Sequence, residues 1–199
     1  MISRPSTTLL FLTLTLMLWA PSGYAREPSA RSDPFFESWG VQLGYTTGNL
    51  RAGNGDDLQI LMFLSRFKHP INEYFGLEDH KGKLSLVMEP FVGQIYAPDN
   101  GMMLGVGGFF EYAYPVTDRL NLQTGFGSGP SYFGIDTIEE GKAGFHFFDS
   151  ASAGVSYNRS TDDAFLFEFR AVHISDLSIR EPNNGINAYS FFFGYNSKF

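Results

Sequence analysis

From about Trp39 to the C-terminus, apolar and polar side chains alternate with a period of two rather than 3.6, which predicts strands instead of helices. In the first run Trp39, Val41, Leu43 and Tyr45 alternate with Gln42, Gly44 and Thr46. In the second, Leu58, Ile60, Met62 and Leu64 share a face. The third sets Leu84, Leu86, Met88 and Val92 against Ser85, Glu89 and Gly93, and the fourth sets Leu104, Val106, Phe110, Tyr112 and Tyr114 against Gly105, Gly107 and Glu111. The fifth places Leu120, Leu122, Thr124 and Phe126 opposite Asn121, Gln123 and Gly125. The sixth begins irregularly and settles into Ala151, Ala153, Val155 and Tyr157. Phe165, Phe167 and Phe169 oppose Glu168 and Arg170 in the seventh, and Tyr189, Phe191, Phe193 and Tyr195 oppose Ser190, Gly194 and Asn196 in the eighth. Turn-forming segments separate the runs, so eight strands are expected.

Alternation alone fits either a water-soluble sandwich or a membrane barrel. The aromatic load decides between them: 21 Phe, 10 Tyr and 2 Trp accompany 22 Gly, and a solvent-facing sheet has no use for so many large rings. The expected fold is therefore all-β, an eight-stranded antiparallel transmembrane β-barrel with its large apolar residues against lipid and its polar residues inside. A lumen of eight strands has room only for side chains. Glu89, Glu111, Glu168 and Arg170 are thus expected to form a buried network, with no open pore.

Arg4, the apolar run from Thr7 to Ala20, and small residues at Gly23 and Ala25 read as a secretory signal over 1–25, leaving the barrel domain at 26–199. The run is short for an uncleaved membrane helix. The chain lacks cysteine, which excludes disulfides, thiolate metal sites and an N-terminal cysteine anchor. A net charge of −7 excludes nucleic acid as a partner. The terminal Phe199, with Tyr195 and Phe193 on its parity, resembles the signal by which barrels engage their assembly machinery in the outer membrane of a Gram-negative cell.

An even strand number puts both ends of the barrel on the periplasmic side. The seventh strand then runs outward, and its hairpin to the eighth, DLSIREPNNGI from Asp176 to Ile186, lies at the extracellular rim. His173 and Ser175 extend the aromatic face of the seventh strand, about 6 to 7 Å apart along the backbone. Asn187 shares the corresponding face of the eighth and is expected to pair near them. A histidine beside a hydroxyl can act as general base for acyl transfer, and an acyl ester at the membrane surface is the natural target. An interfacial polar pair without chemistry is the competing reading.

The segment HISDLSIREPNNGINAYSFFFGY, with the preceding FEFRAV, resembles the C-terminal signature of the outer-membrane lipid A 3-O-deacylase family, the PagL-like barrels. GFGSGPSYFG and EEGKAGFHFFD carry a weaker similarity. The resemblance implies an eight-stranded barrel that hydrolyses the ester of the 3-hydroxyacyl chain at position 3 of lipid A, with lipopolysaccharide and outer-membrane lipids as partners. It also implies a catalytic histidine, a serine two residues on, and a glutamate fourteen residues beyond the histidine. His173 and Ser175 match the first two, and Asn187 stands in the third place. Asparagine can orient the ring but cannot neutralise the imidazolium, so Asp176 or Glu181 in the hairpin is considered as the substitute acid. Asp176 also follows the serine where the family commonly has asparagine near the oxyanion site. Its side chain is expected on the inner face, with backbone N–H groups left for the oxyanion.

His69, His80 and His146 lack partners at metal-ligand spacing, and no cofactor or metal is expected. Asp56, Asp57, Glu78, Asp79, Asp162 and Asp163 read as solvated loop acids. Gly127, Gly129 and Pro130 mark a bulge or a tight wall contact. Two functions remain, a lipid A 3-O-deacylase using Ser175, His173 and Asn187, and a catalytically inert barrel with a structural or lipid-binding role. The sequence leaves a homodimer open.

Overall fold

The computed structural model describes residues 34–50, 57–182 and 184–199. The signal expected over 1–25, and Asp56, lie outside these residues. Eight strands follow one another in the chain: β1 (Ser38–Gly48), β2 (Leu58–Pro70), β3 (Lys83–Ala97), β4 (Gly101–Pro115), β5 (Leu120–Phe133), β6 (Gly144–Asn158), β7 (Asp163–Ser175) and β8 (Ile186–Lys198). Each pairs antiparallel with its neighbour, and β8 returns to β1 with Ser38 opposite Lys198 and Gly48 opposite Ala188, closing the barrel. Closure leaves no sheet edge whose N–H and C=O groups would be stranded in lipid. The two ends of the wall meet on the periplasmic side, where the Phe199 N–H donates to Glu37 O at 3.1 Å.

Outward positions carry the expected apolar face. Leu43, Leu104, Phe126, Phe167 and Phe193 are all about half exposed or more, while Trp39, Tyr114, Tyr157 and Tyr195 form an aromatic belt near the periplasmic edge. The second strand departs from expectation. Leu58, Ile60, Met62 and Leu64 are at most 1% exposed and face the lumen, not lipid. Both faces of this strand are apolar, because Leu61 and Phe63 lie on the outside, so alternation gives no direction there.

The physical reason is the narrowness of the lumen. Its extracellular half is packed like a soluble core, with Phe91, Ile95, Phe133, Phe148 and Ile174 meeting the β2 aliphatics. Gly44 gives this packing one of its close approaches, since a Cβ there would overlap the Phe192 ring.

Beneath the apolar plug lies a charged layer. Arg66 reaches Glu89 at 2.6 Å, Glu111 at 2.8 Å and Glu168 at 3.5 Å. Lys68 meets Glu111 at 2.5 Å, and Arg170 meets Glu89 at 2.7 Å and also pairs with Glu168. The Arg170 guanidinium lies over the rings of Phe109 and Phe192, 5.2 and 4.8 Å from their centroids. Three cations thus face three carboxylates. The network joins the expected Glu89, Glu111, Glu168 and Arg170, and Arg66 and Lys68 complete it because they share the inward parity of Leu58 to Leu64 on β2. Below, a polar vestibule of about 640 Å³ opens to the periplasm past Lys68, Gln123, Asn158 and Lys198.

Between β4 and β5 the register is the same on both sides of a gap, Gly105 opposite Ser131 and Gly108 opposite Ser128. Of the two options for Gly127, Gly129 and Pro130, the structure has the tight contact: a Cβ at Gly129 would collide with the Val106 carbonyl.

Replacing Arg170 by Met leaves Glu89 and Glu168 buried with one cation fewer. The barrel is expected to lose about 3–5 kcal/mol against urea in detergent or lipid, whereas K83A, which breaks the exposed Lys83–Glu37 pair, is expected to lose less than about 1 kcal/mol.

Candidate functional site

The pairing of β7 with β8 places His173 directly opposite Asn187 on the outer face of the wall. The imidazole Nδ1 lies 2.9 Å from Asn187 Oδ1. An amide oxygen only accepts, so Nδ1 carries a proton, and in the neutral ring Nε2 is then the nitrogen with the lone pair, the arrangement a general base requires. Gly185 supports the ring from the loop side. Its φ of +68° is left-handed, and a Cβ would overlap the imidazole, so two separate constraints favour glycine. The turn signal at Asn184 and Gly185 was legible in the sequence, whereas the close approach to His173 was not.

Ser175 ends β7 opposite Phe147 and is only 5% exposed. An open, lipid-facing hydroxyl was expected, and the structure differs because the rim loops enclose the strand end. Among the described residues the Ser175 hydroxyl makes no hydrogen bond, to His173 or to any other group. The 134–143 loop between β5 and β6 packs against the 176–185 hairpin. The Glu140 carboxylate, 1% exposed, accepts from the Asp176 N–H at 3.1 Å and from the Gly185 N–H at 2.6 Å, and the Asn184 N–H donates to Glu139 O at 2.9 Å. Glu140 therefore holds both ends of the hairpin, one beside Ser175 and one beside the histidine ring.

The loop carrying Glu140 is itself folded by Asp136, whose carboxylate accepts from the Ala143 N–H at 2.8 Å and pairs with Lys142 at 3.0 Å. The backbone N–H and then the lysine hold this carboxyl below its usual pKa.

These contacts correct two expectations. The Asp176 N–H is committed to Glu140, so it is not a free oxyanion donor. Asp176 is fully buried and paired with Arg180 at 3.0 Å, and Glu181 is exposed in the loop, so neither carboxylate is presented to His173. Arg180 also donates to Phe145 O at 3.0 Å, tying the hairpin to the top of β6. The other histidines separate as well: His146 is buried 3.7 Å from Glu140, and His69 stacks on Phe35. No group of three or more ligating side chains suited to a metal occurs among the described residues.

Sequence reasoning missed Asp149. Cross-strand pairing runs from Ser128 to Asp149, from Asp149 to His173, and from His173 to Asn187, one polar row along the outer wall. Continuing the parity of Ala151 and Ala153 upward through the irregular start of β6 would have placed Asp149 on this face. A groove of about 570 Å³ runs along the row, with Gly108, Ala151 and Ala171 leaving it open and Phe110 and Phe126 bounding it. Asp149, His173 and Asn187 line it, but Ser175 does not.

The family model described as lipid A 3-O-deacylase (PagL) matches residues 66–196. The chain belongs to the PagL family. A crystal structure of the outer membrane enzyme PagL superposes with a TM-score of 0.53 at 18% identity, covering 79% of this chain and 97% of that one. Neisserial surface protein A gives a TM-score of 0.58 at 11% identity, with 81% and 96% covered. Comparison with curated proteins by sequence gives no significant match. At these identities the two structures speak for the fold, and the family model speaks for the lineage. This PagL-family chain is accordingly an outer-membrane barrel, and His173, Ser175 and Asn187 all lie within the matched span.

Substituting Gly185 by Ala is expected to displace the imidazole and break its 2.9 Å bond to Asn187, visible in a crystal structure of the variant, at a cost of about 1–3 kcal/mol from the left-handed backbone. Substituting Glu140 by Ala leaves two buried N–H groups without their acceptor. Hydrogen exchange at Asp176 and Gly185 is expected to accelerate by at least about 10-fold, since each lost acceptor is worth roughly 1–3 kcal/mol.

Proposed function

We propose that this PagL-family barrel is a lipid A 3-O-deacylase acting from its lipid-facing wall. The reading is supported above all by the imidazole that Asn187 holds on the outer face, in the tautomer that leaves Nε2 free, within the span matched by the family model. In the proposed reaction Ser175 Oγ attacks the carbonyl carbon of the 3-O-acyl ester while His173 Nε2 takes its proton. The tetrahedral intermediate collapses, the sugar 3-oxygen leaves with the proton returned by His173, and the acyl group remains on Ser175. Water then repeats the sequence in reverse roles, releasing the 3-hydroxy fatty acid and restoring the serine.

The chemistry requires Ser175 to rotate toward His173 as the lipid enters, since the two are not hydrogen-bonded in the structure. Catalytic hydrogen bonds commonly tighten only around the substrate. Asn187 orients the ring through its amide oxygen and adds no charge. The burial of Ser175 favours a second reading, a barrel of the same family with a structural or lipid-binding role and no hydrolysis.

Mass spectrometry of lipid A from cells expressing the protein separates the two. The wild type is expected to remove one 3-hydroxyacyl chain, and S175A and H173A are expected to fall by at least about 100-fold, the scale of losing a proton-transfer group. N187E is expected to raise turnover by about 10- to 100-fold, because a carboxylate stabilises the imidazolium where an amide does not. Unchanged lipid A with a folded, surface-exposed wild type would favour the second reading.

A further inference from the structure

The family pattern asks for a carboxylate next to the histidine, and Asn187 does not supply one. The structure brings another to the opposite flank. Asp149 of β6 is the cross-strand partner of His173, as Asn187 of β8 is on the other side, and all three lie on the outer face and line one groove. Side chains directly opposite each other in an antiparallel pair have their Cβ atoms about 4.5–5.5 Å apart, within electrostatic reach. We propose that Asp149 is a positioning residue for the hydrolysis, its carboxylate stabilising from β6 the imidazolium that forms on His173. This inference rests on the deacylase reading.

Three observations carry it. The Asp149 carboxylate makes no hydrogen bond or ion pair among the described residues, so it is not already committed to another group. The other carboxylates near the site are committed or turned away: Glu140 to two backbone N–H groups, Asp176 to Arg180, and Glu181 to the outside of the hairpin. Asp149 also occupies a costly place. Among the described residues it is, apart from Asp163 at the periplasmic end of β7, the carboxylate that strand parity points outward, with Phe147 and Ala151 on either side along its strand. An ionisable side chain on the lipid face of a barrel destabilises the wall and marks function.

The groups facing His173 are few. Asp149 approaches from β6, Asn187 from β8 and Gly185 from the hairpin, with Ser175 on its own strand. Of the residues it pairs with across the strands, Asp149 is the one with a carboxyl group. The proposed division of labour is that Asn187 fixes the ring and its tautomer while Asp149 supplies the charge, two tasks that one glutamate would combine.

The test measures kcat and KM for 3-O-deacylation of lipid A in detergent micelles, using the full barrel and D149N, D149E, N187E and D149N/N187E. D149N is nearly isosteric and removes a charge from the membrane face, so folding, read by heat-modifiable migration, is expected to be preserved. Its kcat is expected to fall about 10- to 100-fold with KM within about twofold, a split that a merely structural role would not produce. D149E is expected to recover most of kcat, and N187E in the D149N background to restore it, because the carboxylate then arrives from β8. An active wild type with undiminished kcat in D149N would overturn this inference alone. An inactive wild type beside an active N187E would also overturn it, since Asp149 would then be insufficient, while the hydrolytic site would stand. Folded wild type and N187E both without activity would overturn the deacylase reading, and this inference with it.

Discussion

Closure of the wall governs everything else in this protein. Lipid offers no hydrogen bonds, so each strand must be paired on both sides, and the register of every pair is fixed once β8 meets β1. That register brings Asp149, His173 and Asn187, from three strands, into one row. A slip of one residue anywhere in β6, β7 or β8 would turn one of the three into the lumen. The site is therefore a consequence of barrel pairing more than of local loop structure.

The lumen enforces the same register from within. Arg66 on β2 contacts carboxylates from β3, β4 and β7, and Arg170 on β7 contacts β3 as well as its own strand. A layer of three cations and three carboxylates satisfies its charges only when all four strands are correctly placed. Breaking such a network is costly, whereas forming it adds little net stability, so it acts mainly as a lock on strand alignment. The aliphatic and aromatic plug above it fills the extracellular half, and together they make the barrel a solid support for the rim.

At the rim the control becomes local. Glu140 joins the 134–143 loop to both ends of the β7–β8 hairpin, and the same clamp that steadies Gly185 beneath the imidazole also encloses Ser175. Rigidity and access compete here. The His173–Asn187 pair is fixed on the wall, and in the proposed reaction it is the serine at the strand's end that moves.

Period-two alternation and the aromatic load determined the barrel, the number of its strands and the outward face of β7, since these follow from which side chains tolerate lipid. The pairing of His173 with Asn187 was equally legible, because the two lie close in sequence, whereas the enclosure of Ser175 was not. Other features were not. Strand β2 is apolar on both faces, so only packing shows that Leu58 to Leu64 fill the lumen and that Arg66 and Lys68 join the charges. Asp149 and Glu140 stand 24 and 33 positions before His173 in the chain, and only their strand pairing and loop contacts give them a place beside the site. Alternation says which face a residue occupies. Which residues become neighbours on that face is decided by register, a property of the closed sheet that no single strand carries.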